Sequence, residues 1–498
     1  MQTQPAIVTV STGVLFGERA NGACAYKGIP YAASPALAGR GRAPEPARPW
    51  TGVRDATRFG PDPMQPPNPR KRSRAPGIDE DALSLNVWAP ADGGSGPWPV
   101  MVWFEGGSFL TGTGASARVD GAGFARSGVV LVTLNYRVGV FGYLAHPRLS
   151  AESGHGASGN YGLMDQLAAL RWVRENIAAF GGDPTRVTVF GVSAGSASIA
   201  LMLTAPAARG LFDRAIMQSP GSLRPLASLA DAEAAGRAVG DDLALLRRMP
   251  ADELLAKNAL LNPKVRGLTT PRILRPIRDG YVIPREEADA YDDGEFANVP
   301  VMVGSTANEG GWAVGDMPIA TVAEFRTYME QNFGEATGEA LERYPVRSDA
   351  DVKPQLAAVF GDTQFTYGAR GLARAISRRQ PQTFRYLFKH GPAGHSDDTS
   401  YIFGTEAEAV GEADRRISAA MMRYWVRFAE TGDPNQPELP AWPRFAGPAD
   451  NYLEFGETDI TTGSGWRTEH LDFIERFFAA RGVRTVAAVS AAGSRAGR

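Results

Sequence analysis

The chain has 498 residues, of which 43% are hydrophobic, so it can bury a large core and differs in composition from a disordered chain. Its 52 basic and 54 acidic residues give a formal net charge of -2, which argues against nucleic acid or an anionic membrane as the partner. The single cysteine, Cys24, excludes an intrachain disulfide.

The organisation of the chain predicts one large domain. The first residues, MQTQPAIVTV, have neither the basic nor the apolar region of a signal peptide, and no run of about 18 uncharged apolar residues could span a bilayer. We therefore expect a cytoplasmic protein, either a monomer or a small homo-oligomer; a trimmed secreted form would look the same. Residues 1–485 are predicted to form one domain and residues 486–498 a disordered tail.

The first part of the chain alternates short apolar stretches with Gly and Pro, which predicts short strands and turns. The Pro-rich, basic segment 61–78 is predicted to be an exposed loop. Two continuous apolar runs follow at 99–105 and 129–137, and such runs suit strands that are buried on both faces of a sheet.

A strand–helix–strand unit comes next. Leucine, valine and isoleucine recur at helical spacing from 163 to 177, glycines and a proline end the helix, and the strand RVTVF follows at once. The unit predicts a mostly parallel sheet flanked by helices. Later strands are expected at 214–219, 299–305, 383–389 and 452–455, and later helices around 231–248, 321–333, 363–379, 414–431 and 468–480.

The strand RVTVF runs into Gly-Val-Ser-Ala-Gly at 191–195, and a helix-like segment follows. This is a G-x-S-x-G motif in the strand–turn–helix context that it requires. The strained turn exposes the serine hydroxyl, and side chains at the two glycine positions would collide with neighbouring elements. The helix N-terminus points at the reacting oxygen. We predict that Ser193 is a catalytic nucleophile.

A serine nucleophile needs a base that an acid orients, and in strand–turn–helix hydrolases the order along the chain is serine, acid, histidine. Three of the five histidines, His390, His395 and His470, follow Ser193. His470 falls in a predicted amphipathic helix and His390 ends a predicted strand. His395 lies just past that strand among small residues, so we predict that it is the base.

The acid is expected in a loop that follows a strand of the sheet. Glu309 lies in such a loop, TANEGGW, directly after the predicted strand at 299–305. Asp279 precedes this strand, Asp316 is further from its end, and Asp398 follows the histidine. Glu309 is therefore our prediction, with the three aspartates as rivals.

Several long motifs extend beyond the site. They are YKGIPYA and DEDALSLNVWAP near the start, VTLNYRVGVFGYL and GNYGLMDQLAALRWVRENIAAFGGDP in the middle, VTVFGVSAG and FDRAIMQSPGS around the serine, and GSTANEGGW and GHSDDTSYIFG further on. Together they resemble the type-B carboxylesterase family, which also includes the cholinesterases. The resemblance covers nearly the whole chain.

The resemblance implies an α/β-hydrolase fold, with a large, mostly parallel central sheet, flanking helices and long insertions that form a gorge over the active site. It implies a triad of Ser193, Glu309 and His395, in agreement with the argument from chain order. The family's oxyanion hole would fall on the backbone N–H groups of Gly107, Ser108 and Ala194. Loss of one such donor typically costs roughly 10²–10³ in rate.

The chain departs from the family at the glycine-rich turn. The family usually has three glycines there, whereas this chain has Gly-Gly-Ser at 106–108. Before the turn, Glu105 replaces the usual His or Tyr. It could brace the turn by accepting backbone hydrogen bonds, or it could be an acid with a raised pKa near the pocket.

Two further differences concern the substrate and the disulfide. Val192 replaces the usual glutamate of the elbow, so we do not expect choline esters as substrates. Ala82 stands where the family has a cysteine. Glu105, Val192 and Phe109 are our candidates for residues of the substrate pocket.

The predicted activity is hydrolysis of small-molecule carboxylic esters through an acyl-enzyme, without a metal or an organic cofactor. One alternative is a specialised acyl hydrolase or acyltransferase that acts on a natural product or a xenobiotic, and another is a non-catalytic binding protein. The basic residues Arg70, Lys71, Arg72 and Arg74 fall where the resemblance implies a gorge entrance, and they could select anionic esters.

Overall fold

The protein is described by a computed structural model that covers residues 4–68, 72–91, 96–405 and 411–482. The predicted tail at 486–498 lies outside the described residues. Among the described helices, none is long and apolar enough to cross a membrane.

Apolar runs of the sequence form the strands. Their bounds are β1 Gln4–Val10, β2 Gly13–Ala20, β3 Ala23–Pro30, β4 Val53–Asp55, β5 Asp62–Pro63, β6 Ile78–Asp79, β7 Ser84–Pro90, β8 Trp98–Phe104, β9 Val130–Leu134, β10 Gly182–Val192, β11 Arg214–Gln218, β12 Val301–Thr306, β13 Thr383–Phe388, β14 Asn451–Phe455 and β15 Ile460–Ser464. The strands expected from the sequence are all present. Most of their ends agree within about two residues, but β9 ends three residues earlier and β10 begins four residues earlier than expected.

Thirteen strands form one sheet, with the path β1-β2-β3-β7-β9-β8-β10-β11-β12-β13-β14-β15 and with β4 beside β2. The pairs from β9 to β14 along this path are parallel, and the pairs at the two ends are antiparallel apart from the β2–β4 pair. Parallel neighbours need crossover connections, and the helices between these strands provide them. The prediction of a mostly parallel central sheet is confirmed.

Both faces of the central strands are covered. In β8, Val100 and Val102 belong to one hydrophobic cluster, whereas Met101 and Trp103 belong to another. Since successive side chains of a strand point to opposite faces, the two clusters are the two layers of the core. Because both faces of these strands are buried, their sequences are continuous apolar runs.

The helices that flank the sheet follow the amphipathic stretches of the sequence. Their bounds are α1 Ala122–Arg126, α2 Gly139–Tyr143, α3 Pro147–Glu152, α4 Tyr161–Asn176, α5 Ala194–Thr204, α6 Leu229–Gly236, α7 Leu243–Arg248, α8 Ala251–Ala256, α9 Asn258–Leu261, α10 Glu287–Asp292, α11 Gly311–Val314, α12 Val322–Phe333, α13 Thr337–Arg343, α14 Asp349–Gly361, α15 Tyr367–Ser377, α16 Asp397–Phe403, α17 Glu412–Thr431 and α18 Thr468–Ala480.

Two regions differ from the sequence-based expectation. The helix expected around 231–248 is divided into α6 and α7, because Gly240 has a φ of 127° that no helix allows. The segment 61–78 is not wholly an exposed loop. Met64 and Gln65 are buried, and the Gln65 amide exchanges hydrogen bonds of 2.7 and 2.9 Å with the backbone of Gly112. The polar side chain therefore anchors a Pro-rich segment that composition alone assigns to the surface.

Candidate active site

Four neighbouring parallel strands, β10 to β13, end at the same edge of the sheet. Ser193, Ser219, Glu309 and His395 each follow one of these strands, directly or within a short loop. The carboxyl ends of parallel strands meet at one edge, so residues distant in sequence come together there. The sheet order therefore explains why the predicted triad residues lie in one region.

Ser193 occupies a strained turn between β10 and α5. Its φ of 56° and ψ of -117° lie outside the regions that side-chain-bearing residues favour. A Cβ atom at Gly191 would lie 2.6 Å from the carbonyl oxygen of Phe104, and one at Gly195 would overlap the same oxygen. The two glycines of the motif are therefore required by the close approach of the neighbouring strand.

The glycine-rich turn lies next to this elbow. A Cβ atom at Gly106 would lie 2.7 Å from the carbonyl oxygen of Val192, so the two segments are in contact. Gly107 and Ser108 have positive φ angles of 136° and 59°. Among the described residues, the N–H groups of Gly107, Ser108 and Ala194 have no hydrogen-bond acceptor. These three donors are free to bind an oxyanion.

Glu309 and His395 form a direct pair. Nδ1 of His395 lies 2.5 Å from Oε2 of Glu309. The other carboxylate oxygen accepts hydrogen bonds of 2.7 Å from the Ser219 hydroxyl and 2.7 Å from the Thr306 backbone N–H. Both oxygens of a buried carboxylate are thus satisfied, and the carboxylate orients the imidazole.

The imidazole of His395 is packed between aromatic rings. The Trp312 ring stacks on it at a centroid distance of 5.4 Å, and the Phe365 ring lies at 4.2 Å. Phe365 also lines the cavity that contains Ser193. Nε2 of His395 is buried and makes no hydrogen bond to a described residue, the Ser193 hydroxyl included. Such catalytic hydrogen bonds often tighten only when substrate binds.

The loops that carry Glu309 and His395 are joined to each other. The N–H of Asn308 donates a 2.9 Å hydrogen bond to the carbonyl of Ala393. Asn308 directly precedes Glu309 and Ala393 lies two residues before His395, so this backbone hydrogen bond joins the two loops beside the pair.

The rival histidines have partners elsewhere. Nε2 of His390 lies 2.9 Å from Oδ1 of Asp414, and Nε2 of His470 lies 3.0 Å from the carbonyl of Arg343. Neither ring contacts Glu309 among the described residues. His395 is the histidine that the structure brings to the acid.

The rival acids are accounted for in the same way. Asp279 accepts hydrogen bonds from backbone N–H groups of its own turn, and Asp316 is exposed. Asp398 is fully buried, and the Tyr386 hydroxyl donates to it at 2.7 Å. Burial raises the pKa of Asp398 to about 6. Among the described residues, His395 is hydrogen-bonded to Glu309 and not to Asp398.

The three pocket candidates lie in different places. Phe109 lines the cavity at Ser193. Glu105 is not among the residues that line it, and its carboxylate accepts a 2.7 Å hydrogen bond from the indole of Trp103. Val192 is also outside the lining and packs in the core cluster that contains Trp103. The indole of Trp103, two residues away, is a partner that neither interpretation of Glu105 included.

The predicted basic rim is only partly described. Arg70 and Lys71 lie outside the described residues. Arg74 lies over the ring of Phe59 and forms a 2.6 Å ion pair with Asp120. A second source of positive charge was missed by the sequence analysis. Four arginines, here called the arginine cluster, line the cavity at Ser193: Arg224, Arg266, Arg272 and Arg275.

The mostly parallel sheet, with the strained serine turn and the acid–histidine pair at one edge, is the arrangement of the α/β-hydrolase fold. The chain belongs to the carboxylesterase family, whose model matches residues 4–474. The resemblance drawn from the sequence motifs is thereby confirmed, and the protein is a carboxylic ester hydrolase.

Several relatives are similar over most of their length. The chain is 44% identical to the fumonisin B1 esterase of Sphingopyxis macrogoltabida, over 84% of this chain and 81% of the relative. It is 35% identical to the para-nitrobenzyl esterase of Bacillus subtilis (strain 168), over 88% and 92%. A solved structure of a PNB esterase matches with a TM-score of 0.83 and 34% identity, over 94% of this chain and 99% of that chain.

Proposed function

We propose that the protein hydrolyses esters in two steps through an acyl-enzyme on Ser193. The observation that carries the proposal is the 2.5 Å contact between Glu309 and His395 at the sheet edge that also bears the serine. Nε2 of His395 takes the proton of the Ser193 hydroxyl while Oγ attacks the ester carbonyl. Glu309 holds the neutral tautomer with the proton on Nδ1 and stabilises the imidazolium that forms.

The tetrahedral intermediate carries its negative charge on the former carbonyl oxygen. The free N–H groups of Gly107, Ser108 and Ala194 are the proposed donors to this oxygen, and the N-terminus of α5 adds a favourable dipole. The C–O bond to the alcohol then breaks, and the alcohol leaves with the proton from His395. Water gives a proton to the same imidazole, attacks the acyl group and releases the acid and Ser193. These steps use side chains and backbone groups of this chain together with water.

The test compares Ser193→Ala with Ser198→Ala, a substitution within helix α5, which begins directly after Ser193. Ser198 is buried, and its hydroxyl has no hydrogen-bond partner among the described residues, so its removal controls for a change in the helix alone. We expect Ser193→Ala to lower kcat for 4-nitrophenyl valerate by roughly 10⁴–10⁶. Ser198→Ala should keep wild-type activity, and a serine-directed phosphonate should label the wild-type protein at residue 193.

Hydrolysis that survives Ser193→Ala in a clean preparation would reject the proposed nucleophile. Labelling at another serine would have the same meaning. Loss of activity in both variants would point to a folding defect, and the labelling of the wild-type protein would then decide.

A second candidate is a specialised hydrolase. The relative with 44% identity is named for fumonisin B1, whereas those named for para-nitrobenzyl esters and phenmedipham are 35% and 33% identical. Kinetics with fumonisin B1 and with 4-nitrophenyl acetate separate the two candidates. Efficient turnover of fumonisin B1 together with negligible turnover of the simple ester favours the specialised enzyme.

A further inference from the structure

Positively charged side chains line the cavity that contains the proposed nucleophile. The four residues of the arginine cluster come from two separate loops: Arg224 follows β11, and the other three lie between α9 and α10. They line the same cavity as Ser193. A protein with a net charge of -2 has no general excess of cations that would put four arginines there by chance.

Three of the four guanidinium groups donate hydrogen bonds to neutral partners. Arg272 donates a 3.2 Å hydrogen bond to the carbonyl of Ser108 in the glycine-rich turn, and Arg275 donates a 3.1 Å hydrogen bond to the carbonyl of Gly221. Arg224 donates to the side-chain oxygen of Gln364.

Aromatic rings support two of these side chains. Arg275 lies 5.7 Å from the ring centroid of Phe109, and Arg266 lies 5.3 Å from that of Trp312. Carbonyls and ring faces orient a guanidinium without neutralising its charge. The arrangement fixes the arginines and leaves their charge for another group.

No arginine of the cluster forms an ion pair with a carboxylate of the described residues. The acids that act on it at longer range are Glu286 and Glu287. Burial raises the pKa of Glu287 to about 7 and also raises the pKa of Glu286. Two acids of this kind do not balance four arginines.

The electrostatics agree with this geometry. The pKa values of Arg224 and Arg272 are held well below their usual range. Burial is the larger cause, and the neighbouring arginines are the second. An arginine keeps its proton in a protein, so the lowered pKa reflects a desolvated cation that lacks a counter-ion. An anion in the cavity would relieve this cost.

We propose that the site takes esters that carry a further carboxylate, which the arginine cluster binds while Ser193 attacks the ester carbonyl. The inference rests on the proposed function and names its substrate class. A guanidinium binds a carboxylate through two parallel hydrogen bonds, which gives orientation as well as affinity. Because Arg272 contacts the carbonyl of Ser108, a carboxylate bound there lies beside the proposed oxyanion hole.

The first measurement uses the wild-type protein and two esters of matched length. 4-Nitrophenyl hemiglutarate ends in a carboxylate where 4-nitrophenyl valerate ends in a methyl group. We expect kcat/KM to be roughly 10- to 100-fold higher for the hemiglutarate, the size of effect that a hydrogen bond to a charged group supports. Calorimetry should also detect binding of glutarate and no binding of its uncharged diamide, glutaramide.

The second measurement locates the effect. Arg272→Gln and Arg224→Gln should each lower the ratio of kcat/KM for the hemiglutarate to kcat/KM for the valerate roughly 10- to 100-fold. Arg278→Gln is the matched control, because Arg278 is exposed, lies in the same segment and does not line the cavity. It should change neither value.

The outcomes separate the two proposals. Turnover of the valerate with no preference for the hemiglutarate and no binding of glutarate overturns the inference and leaves the proposed function intact. Binding of glutarate that Arg272→Gln abolishes, without turnover of either ester, keeps the inference about the anion and rejects the mechanism on Ser193. If a variant misfolds, the ester preference and the glutarate binding of the wild-type protein decide.

Discussion

Glu287 offers a test of the charge distribution that does not depend on catalysis. The side chain is buried in α10, where Oε2 accepts a 2.8 Å hydrogen bond from the N–H of Leu223 and Oε1 has no partner among the described residues. Burial is the main reason that its pKa is raised to about 7, and the positive charge of Arg275 opposes the shift.

A raised carboxyl pKa makes the folded state bind a proton more tightly than the unfolded state. The contribution to stability is therefore fully present below the unfolded pKa and is lost as the pH rises through about 7. A shift from 4.5 to about 7 corresponds to about 3 kcal/mol, of which about 2–3 kcal/mol is lost between about pH 5 and pH 8. For a chain of 498 residues the unfolding entropy near Tm is about 1 kcal/mol/K, so the effect is about 2–3 °C.

The variant Glu287→Gln removes the ionisation and keeps an oxygen for the N–H of Leu223. We expect its Tm relative to wild type to rise by about 2–3 °C between about pH 5 and pH 8, measured by calorimetry at one scan rate. Glu253→Gln is the control, because Glu253 is exposed and forms no ion pair with a described residue; its Tm difference should not depend on pH. A difference for Glu287→Gln that falls as the pH rises would mean that this carboxylate is ionised and paired, and would refute the reasoning.

Three further variants test the site. Ser219→Ala removes one hydrogen bond to the Glu309 carboxylate. We therefore expect kcat for 4-nitrophenyl valerate to fall roughly tenfold, with KM nearly unchanged. An unaltered kcat would show that Ser219 does not help to position the acid. Gly195→Ala places a methyl group on the carbonyl of Phe104, so phosphonate labelling should be lost and stability should fall by about 1–3 kcal/mol in denaturant unfolding. His390→Gln should leave kcat unchanged because its ring binds Asp414; a loss as large as that of Ser193→Ala would make His390 the base.

The sequence predicted those features of the structure that depend on contacts between near neighbours in the chain. Gly191 and Gly195 flank the serine because the backbone packs too closely against Phe104 for a side chain to fit. This steric requirement is visible in the five-residue motif itself. The alternation between the two core clusters in β8 appears in the sequence as one continuous apolar run. Chain order and strand ends then led to Glu309 and His395.

The tertiary structure alone decided which distant side chains meet. Ser219 follows a predicted strand, but only the order of β10 to β13 brings its hydroxyl to Glu309. Arg224 and Arg272 are separated in sequence by 48 positions in two irregular loops, whose paths have no periodicity from which a meeting could be predicted. The reason is physical: local sterics and hydrophobic periodicity act between near neighbours, whereas electrostatic contacts between loops depend on how the whole sheet is assembled.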